Sequence, residues 1–312
     1  MSVIEDVVSP PATGLRPRGV SRREGWQRRL PLMPALIYTI VVTQIPFLFT
    51  LWYSFQNYFW NQPGGAHWTG VSNYKEVFTD PSFRSALVRS VTMTAIAVIV
   101  AMLLGIAVAV LLDKKFLGRG VVRTLIITPF LVMPAAAALV WAGPMLDPNF
   151  GLLNYLLEPF GVHHVAWLST HAYGSVVVVM IWEWTPFMIL IVLAGLQGQA
   201  SDVLEAAKVD GASAWATFRE LTLPHLRPYI ELGILLGSIY LVNAFDQVRL
   251  MTNGGPGTST TTLPFYLYQK VNYAFDVGGS AAAGVVTVVL TIIVASFALR
   301  MFARVFQFEE AR

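Results

Sequence analysis

The sequence has no cysteine and little charge, and both shortages limit what the protein can be. Without cysteine it can form neither a disulfide nor a thiolate metal site. Only 12% of its 312 residues are charged, whereas 55% are hydrophobic; the charged fraction is about half that of an ordinary soluble domain. A soluble fold of this size would need more polar surface. The net charge of +3 and the lack of basic runs among aromatic residues argue against nucleic acid as a partner.

Recognisable catalytic patterns are also missing. No Walker A phosphate-binding motif occurs, and the glycine-rich string at residues 254–258 lacks the lysine of that motif. The five histidines include no pair spaced i, i+4, so the zinc site of hydrolase helices is not supported. No G-x-S-G string indicates a serine protease. These absences predict a protein that is not an enzyme and cannot hydrolyse ATP on its own.

Long apolar stretches, by contrast, dominate the chain. A membrane-spanning helix needs about 20 mainly apolar residues, because its backbone polar groups find no water in hydrocarbon. The sequence predicts an all-α integral membrane protein whose six spans are residues 31–55, 88–112, 121–143, 173–195, 229–249 and 279–303. Asn243, Asp246 and Gln247 interrupt the fifth span near one end. Residues 1–30 are predicted to form a basic cytoplasmic tail, and residues 31–308 a single six-helix domain.

The positions of lysine and arginine predict the orientation. Sixteen of the 21 fall in the N-terminal tail, in the loops after the second and fourth spans, and at the C-terminal end. The external loop at residues 144–172 has none. Because cytoplasmic loops carry an excess of lysine and arginine, both termini are predicted to be cytoplasmic. An aromatic cluster at residues 52–60, where the first span leaves the membrane outward, agrees with this orientation.

The second inner loop, residues 196–228, is longer than a connection requires. Ser201 can cap a helix over residues 202–210, and Gly211 would stop it. A second short helix would follow and end at Pro224, since proline disfavours helix in the residue before it. The two helices would form a compact knob. From the residues alone, this knob is either a packed internal loop or a docking element for another protein.

The same loop contains a spaced motif. Residues 205–211 read EAAKVDG, and after nine further residues the chain reads LTLP at residues 221–224. This resembles the EAA loop of binding-protein-dependent ABC importer permeases, with Leu221 in place of the usual isoleucine. The resemblance covers residues 30–308 and is to the carbohydrate-uptake, MalF-like branch with six core helices. It implies an ABC type I importer permease fold.

The resemblance also implies roles and partners. In that family the loop inserts into a groove on the ATPase subunit. The matching coupling residues are Glu205, Ala206, Ala207, Asp210, Gly211, Leu221, Leu223 and Pro224. The implied partners are a second, homologous permease, two ATPase subunits and an extracytoplasmic solute-binding protein, in the bacterial inner (plasma) membrane. ATP and Mg would bind the partner ATPases, and this chain would bind no cofactor.

A secondary transporter or channel subunit for a small solute is the alternative function. Such proteins often contain paired broken helices or internal repeats. No clear repeat relates the two three-helix halves of this sequence. The EAA-like loop favours the ABC permease, because an ion-driven carrier has no use for it.

Polar and aromatic residues within the spans are the candidates for the solute pathway, because ionisable groups in a membrane face a cavity or a partner. The candidates are Trp182, Glu183 and Trp184 in the fourth span and Tyr240, Asn243, Asp246 and Gln247 in the fifth. Aromatic faces and carboxylate or amide groups are the combination that recognises sugars and polyols. Three alternatives remain open: the tryptophans only pack, Glu183 pairs with a neighbouring helix or a partner subunit, and Asp246 pairs with Arg249.

The polar, turn-rich stretch at residues 252–262 follows the fifth span. In related permeases an NGGP string lies at this position, which favours a re-entrant or external segment near the pathway over a plain connector. Three strings, at residues 124–134, at 253–257 with 263–265, and at 275–279, most resemble mannitol/sorbitol-type polyol permeases. A disaccharide such as trehalose or maltose is the close alternative.

The absence of native cysteine allows a direct test of the orientation. Single cysteines placed at Ser201 and at Ser169 should differ in their reactivity in intact cells, because the charge distribution puts residue 201 inside and residue 169 outside. A membrane-impermeant thiol reagent should label only the cysteine at residue 169. Labelling of residue 201 alone would invert the predicted topology.

Overall fold

A computed structural model of the protein describes residues 30–310, apart from Lys115 and His163. Residues 1–29 of the predicted basic tail therefore lie outside the described residues, as does the C-terminal Arg312. By its internal contacts the chain divides into two units, residues 1–49 and residues 50–312.

The described chain is mainly helical. Its α-helices are Met33–Tyr53 (α1), Ser72–Thr79 (α2), Pro81–Asp113 (α3), Arg119–Leu131 (α4), Pro134–Val140 (α5), Leu152–Leu157 (α6), Trp167–Thr170 (α7), Ala172–Gln197 (α8), Ser201–Val209 (α9), Ala214–Thr217 (α10), Leu223–Leu241 (α11), Leu263–Asn272 (α12) and Val277–Glu310 (α13). Tighter 3-10 turns occupy Leu30–Leu32 and Glu158–Phe160, and wider π turns occupy Trp141–Met145, Phe218–Thr222 and Val248–Thr252. The strands Gln56–Asn57 (β1) and His67–Trp68 (β2) pair antiparallel, with Gln56 opposite Trp68.

Among the described residues, three helices are long and apolar enough to cross a membrane. These are α1, α3 and α8, which contain most or all of the first, second and fourth predicted spans. The sixth predicted span lies within α13, whose apolar part is the shorter stretch Val277–Ile293. The number of six spans therefore stays a prediction.

The third predicted span, residues 121–143, is not one straight helix. α4 and the helical stretch Pro134–Met145 meet at 98°, with a break of two residues between them. Both break residues, Val132 and Met133, have extended backbone. The physical cause is Pro134, because proline disfavours helical geometry in the residue before it. Together the two arms can form a single bent span.

The fifth predicted span, residues 229–249, is also broken. α11 ends at Leu241, and the chain becomes helical again only at Asp246. At the break, the backbone amide of Asn243 bonds three residues back, to Tyr240 (3.1 Å), and its side-chain amide donates to the carbonyl of Ile239 (2.7 Å). These bonds tighten and end the helix. The prediction of a continuous helix here is wrong.

The core of residues 50–312 forms where α3, α8 and α11 approach closely around Met188. A Cβ atom added at Gly105 of α3 would lie 2.6 Å from the Met188 Cβ, and one added at Gly237 of α11 would lie 2.6 Å from its Cε. One turn earlier in α11, a Cβ at Gly233 would lie 2.5 Å from the Met102 Cε. Small residues allow helices in a membrane to approach and gain van der Waals contact. The glycines therefore set the spacing of these three helices.

Substituting Gly105 should test this spacing. The Gly105→Ala change should lower the thermal unfolding midpoint of the purified protein in detergent, because overpacking a close contact costs about 1–3 kcal/mol. Gly174→Ala in α8 is the matched control, since nothing lies within 4 Å of a Cβ at that position. Alanine favours helix over glycine by roughly 0.5–1 kcal/mol, so the control midpoint should stay level or rise. Equal midpoints for the two variants would refute the close-packing model.

Candidate functional site

Two of the predicted pathway residues form a buried polar bridge. Glu183 of α8 and Gln247, beyond the break after α11, are only 4% and 3% exposed. The Gln247 Nε2 atom donates to the Glu183 carboxylate at 2.6 Å. A buried carboxylate needs such a donor, since leaving it unpaired costs free energy. The bridge therefore ties α8 to the segment that follows the helix break, and Glu183 has a partner from a neighbouring element.

The predicted aromatic residues divide between two places. Trp184 contacts Phe130 of α4, Phe187 and Tyr240, with ring centroids 5.8, 5.4 and 5.5 Å apart. Tyr240 is 61% exposed, so this aromatic cluster opens to one side. The Trp182 ring instead packs edge-on against Trp141 at 5.5 Å. Residues two apart on a helix point to different sides, and the structure accordingly does not join the two tryptophans in one site.

Sequence reasoning missed Phe130 and Phe187. Each lies within an apolar helix next to a proline, Pro129 and Pro186, and neither stands out among the other apolar residues there. Their rings stack on each other with centroids 5.2 Å apart. Only the packing of α4 against α8 brings Phe130 to Trp184.

Asn243 and Asp246 lie at the break after α11. Asn243 is exposed, and Asp246 is half-buried with no hydrogen-bond partner in the part of the chain that the structure describes. The Arg249 guanidinium instead donates to Asn253 Oδ1 (2.9 Å) and lies over the Tyr268 ring, 5.4 Å from its centroid. The alternative of an Asp246–Arg249 pair is therefore wrong. Asp246 keeps a carboxylate available at the break.

The turn-rich stretch at residues 252–262 is a packed element. Asn253, Gly254 and Gly257 have positive φ angles of 51°, 81° and 60°. The Gly254 carbonyl accepts hydrogen bonds from the Thr260 amide (3.2 Å) and the Thr261 hydroxyl (3.1 Å). A Cβ atom at Gly254 would strike the Phe265 ring. Glycine is required there by both the backbone conformation and the close approach.

Polar and charged groups tie α12, which follows this stretch, to α2 and to the residues at the starts of α3 and α13. The Lys270 ammonium donates to Glu76 (2.9 Å) and to Asp276 (3.2 Å). Burial alone would lower the pKa of Lys270, but its hydrogen bond to Glu76 and the negative charge of Asp276 outweigh this effect and raise the pKa above its usual value. The Tyr266 hydroxyl donates to Asp80 at 2.6 Å. Burial alone would raise the pKa of Asp80. The hydrogen bonds from Tyr266 and Ser82 outweigh this effect, so the pKa lies below its usual value and the carboxyl stays ionised.

The second inner loop, residues 196–228, folds into two short helices around Gly211. Gly211 has a φ of +79°, a conformation that favours glycine. Ser213 caps α10 by accepting a hydrogen bond from a backbone amide three residues later (3.2 Å). Two details of the prediction are wrong. Ser201 is the first residue of α9 and makes no cap bond, and the helix that begins after Ser213 does not end at Pro224 but continues through the π turn Phe218–Thr222 into α11.

This loop is exposed at its tip and anchored at its base. Of the predicted coupling residues, Glu205, Ala206, Asp210, Gly211 and Pro224 are exposed, and Ala207, Leu221 and Leu223 are half-buried. Val209 and Trp215 at the tip are 87% and 70% exposed. At the base, His225 Nε2 donates to the Gly195 carbonyl at 3.0 Å, and a Cβ at Gly195 would lie 2.7 Å from the Tyr229 ring. The loop is therefore joined closely to the end of α8.

Comparisons with known proteins agree with this architecture. Residues 101–307 match the family model described as binding-protein-dependent transport system inner membrane component. The chain is 37% identical to a probable ABC transporter permease protein, y4oQ, of Sinorhizobium fredii, over 85% of this chain and 86% of that protein. It is 32% identical to the trehalose/maltose transport system permease protein MalF of Thermococcus litoralis, over 86% and 91% of the two chains.

A solved structure has the same fold. The crystal structure of a bacterial ABC transporter involved in the import of the acidic polysaccharide alginate matches with a TM-score of 0.76. The match covers 90% of this chain and 96% of that one, at 22% identity. The chain therefore belongs to the family of binding-protein-dependent transport system inner membrane components, as an ABC transporter permease subunit and not as an enzyme.

Proposed function

We propose that this chain is the permease subunit of an ATP-driven importer for a sugar or a sugar alcohol. The substrate class is supported by the trehalose/maltose permease and the alginate importer that it resembles. A polyol such as mannitol or sorbitol and a disaccharide such as trehalose or maltose are the two candidates. The observation that carries the function is the second inner loop, which presents the EAA motif on an exposed helix around Gly211.

The loop couples the chain to an ATPase subunit. Val209 and Trp215 offer exposed apolar surface, and Glu205 offers an exposed carboxylate beside them on α9. An apolar patch with a charged edge is suited to docking in a groove of another protein. Because His225 and Gly195 join the loop to α8, a movement of the docked ATPase is passed to the membrane helices. ATP and Mg bind the ATPase subunits and not this chain.

The assembled importer contains further subunits. Six spans, with both termini cytoplasmic in the bacterial inner membrane, make half of the translocation pathway. A second, homologous permease supplies the other half, two ATPases bind from the cytoplasm, and a solute-binding protein delivers the substrate from outside. Asp246, Asn243 and the aromatic cluster around Trp184 line the path, because they combine the carboxylate of Asp246 and the exposed Asn243 with the exposed ring of Tyr240.

The substrate is identified by ATPase stimulation. The purified complex is mixed with its solute-binding protein and, in turn, with mannitol, sorbitol, trehalose and maltose. The true substrate should stimulate ATP hydrolysis above the level given by the unloaded binding protein. Stimulation by none of the carbohydrates, together with stimulation by an amino acid or an inorganic ion, would contradict the proposed substrate class.

Changes in the loop should uncouple the ATPase. Gly211→Pro is incompatible with the φ of +79° at this position, since proline fixes φ near −65°, and Glu205→Lys reverses the docking charge. Each should lower the amount of ATPase that copurifies by roughly tenfold or more, equivalent to about 1.4 kcal/mol, and should abolish uptake. Glu158→Lys, at an exposed carboxylate outside the loop, should have neither effect. Normal copurification and uptake in both loop variants would refute the coupling role.

Replacing the free carboxylate at the helix break should impair transport. Asp246→Ala should lower uptake at low substrate concentration by roughly 2- to 10-fold, because one lost hydrogen bond costs about 0.5–1.5 kcal/mol. Assembly and basal ATP hydrolysis should persist, since no described group depends on Asp246 for a hydrogen bond. Glu158→Ala serves as the control for loss of a negative charge. Failed assembly would assign Asp246 a structural role, and unchanged uptake would remove it from the pathway.

A further inference from the structure

An apolar groove lies where α3 ends, α4 begins and α8 ends. Its volume is about 340 Å³. Its walls are formed by Ile126, Ile127, Ile189, Leu190 and Leu193. None of the residues proposed for the solute pathway lines it. The aliphatic lining suits a hydrocarbon chain.

The α4 side of the groove carries the positive charge of Arg123. Arg123, half-buried, donates from Nη2 to the Leu112 carbonyl at 3.4 Å, a long bond. Its Nε is buried and has no hydrogen-bond partner within the described chain. The Nε of Arg119, one turn earlier, is likewise buried without a partner there, although its Nη2 lies 3.6 Å from Asp113. Asp113 neutralises Arg119, whereas Arg123, which lines the groove, has no carboxylate partner among the described residues.

The start of α4, one turn before Arg123, also favours binding of an anion. Gly118, which precedes the helix, provides no side-chain cap. The first amides of a helix point outward and attract phosphate groups. Arginine is the side chain best matched to phosphate oxygens, which it can bind with two parallel hydrogen bonds. The groove thus combines an aliphatic wall with a phosphate-binding end.

We infer that this groove binds one anionic phospholipid. The lipid phosphate contacts Arg123, and one acyl chain follows the wall between α4 and α8. A free anion would leave the aliphatic wall empty, and an apolar helix would leave the Arg123 charge without a counter-charge. Basic pockets between membrane helices are known to hold such headgroups. Because Gln197 at the end of α8 lines the groove and leads into the second inner loop, the lipid ties α4 to the base of that loop.

Native mass spectrometry of the full-length chain, purified in detergent with its partner subunits, tests this inference. The protein is stripped of lipid and titrated with phosphatidylglycerol, with phosphatidylcholine of the same acyl chains, and with inorganic phosphate. Wild type should bind one phosphatidylglycerol about tenfold more tightly than phosphatidylcholine, a difference of about 1.4 kcal/mol. Arg123→Gln should abolish this preference. Arg84→Gln, at an exposed arginine at the opposite end of α3, should keep it.

A second variant separates the acyl chain from the headgroup. Ala194 is exposed and lines the groove, so Ala194→Phe should fill the groove and weaken binding of both phospholipids while leaving all charges in place. Equal binding of the two phospholipids to wild type, or equal losses in Arg84→Gln and Arg123→Gln, would overturn the inference. So would binding of inorganic phosphate as tight as that of phosphatidylglycerol, which would indicate a free-anion site. If the Arg123→Gln variant fails to assemble with the partner subunits, phospholipid binding to Ala194→Phe and phosphate binding to wild type test the inference in its place.

Discussion

Met188 of α8 lies between Gly105 of α3 and Gly237 of α11 at distances that leave no room for a further methyl group. In a bilayer, lipid tails are as apolar as leucine, so helices associate through close packing and not through escape from water. This contact therefore sets the distance and register of the three helices. Glu183, which reaches Gln247, and Gly195, which holds the base of the second inner loop, lie on the same α8 and depend on its position.

Polar residues proposed for the solute pathway lie where a helix is interrupted. A backbone in hydrocarbon has no water to bond, so a helix can break only where protein groups replace the lost bonds. After α11, the side chain of Asn243 and the short-range bonds to Tyr240 and Leu241 provide this replacement. The break then leaves Asp246 without a partner in the described chain and turns Gln247 towards Glu183. The one helix break therefore provides both the structural hydrogen bond between Gln247 and Glu183 and the candidate pathway residue Asp246.

The two proposed binding surfaces of the chain meet at the end of α8. The second inner loop follows α8, which ends at Gln197. The phospholipid groove is lined by Leu193 and Gln197, which lie one turn apart at this end of α8. Docking of an ATPase and binding of a lipid in the groove would therefore both act on the C-terminal end of α8. Gly195, at this end of α8, also packs closely against Tyr229 of α11.

Hydropathy and motif spacing were enough to predict the membrane class, the apolar cores of several helices and the two-helix form of the loop that contains the EAA-like motif, because they are local properties of the chain. The sequence also identified Gly211 as the bend. It did not reveal that Pro224 would lie inside a helix, that the fifth predicted span would break at Asn243, or that Phe130 would meet Trp184. Those outcomes depend on bonds and ring contacts between distant elements, which only tertiary packing brings together. Likewise, Arg123 is one basic residue in a sequence, and it becomes a cation beside an aliphatic groove only when α3, α4 and α8 are packed side by side.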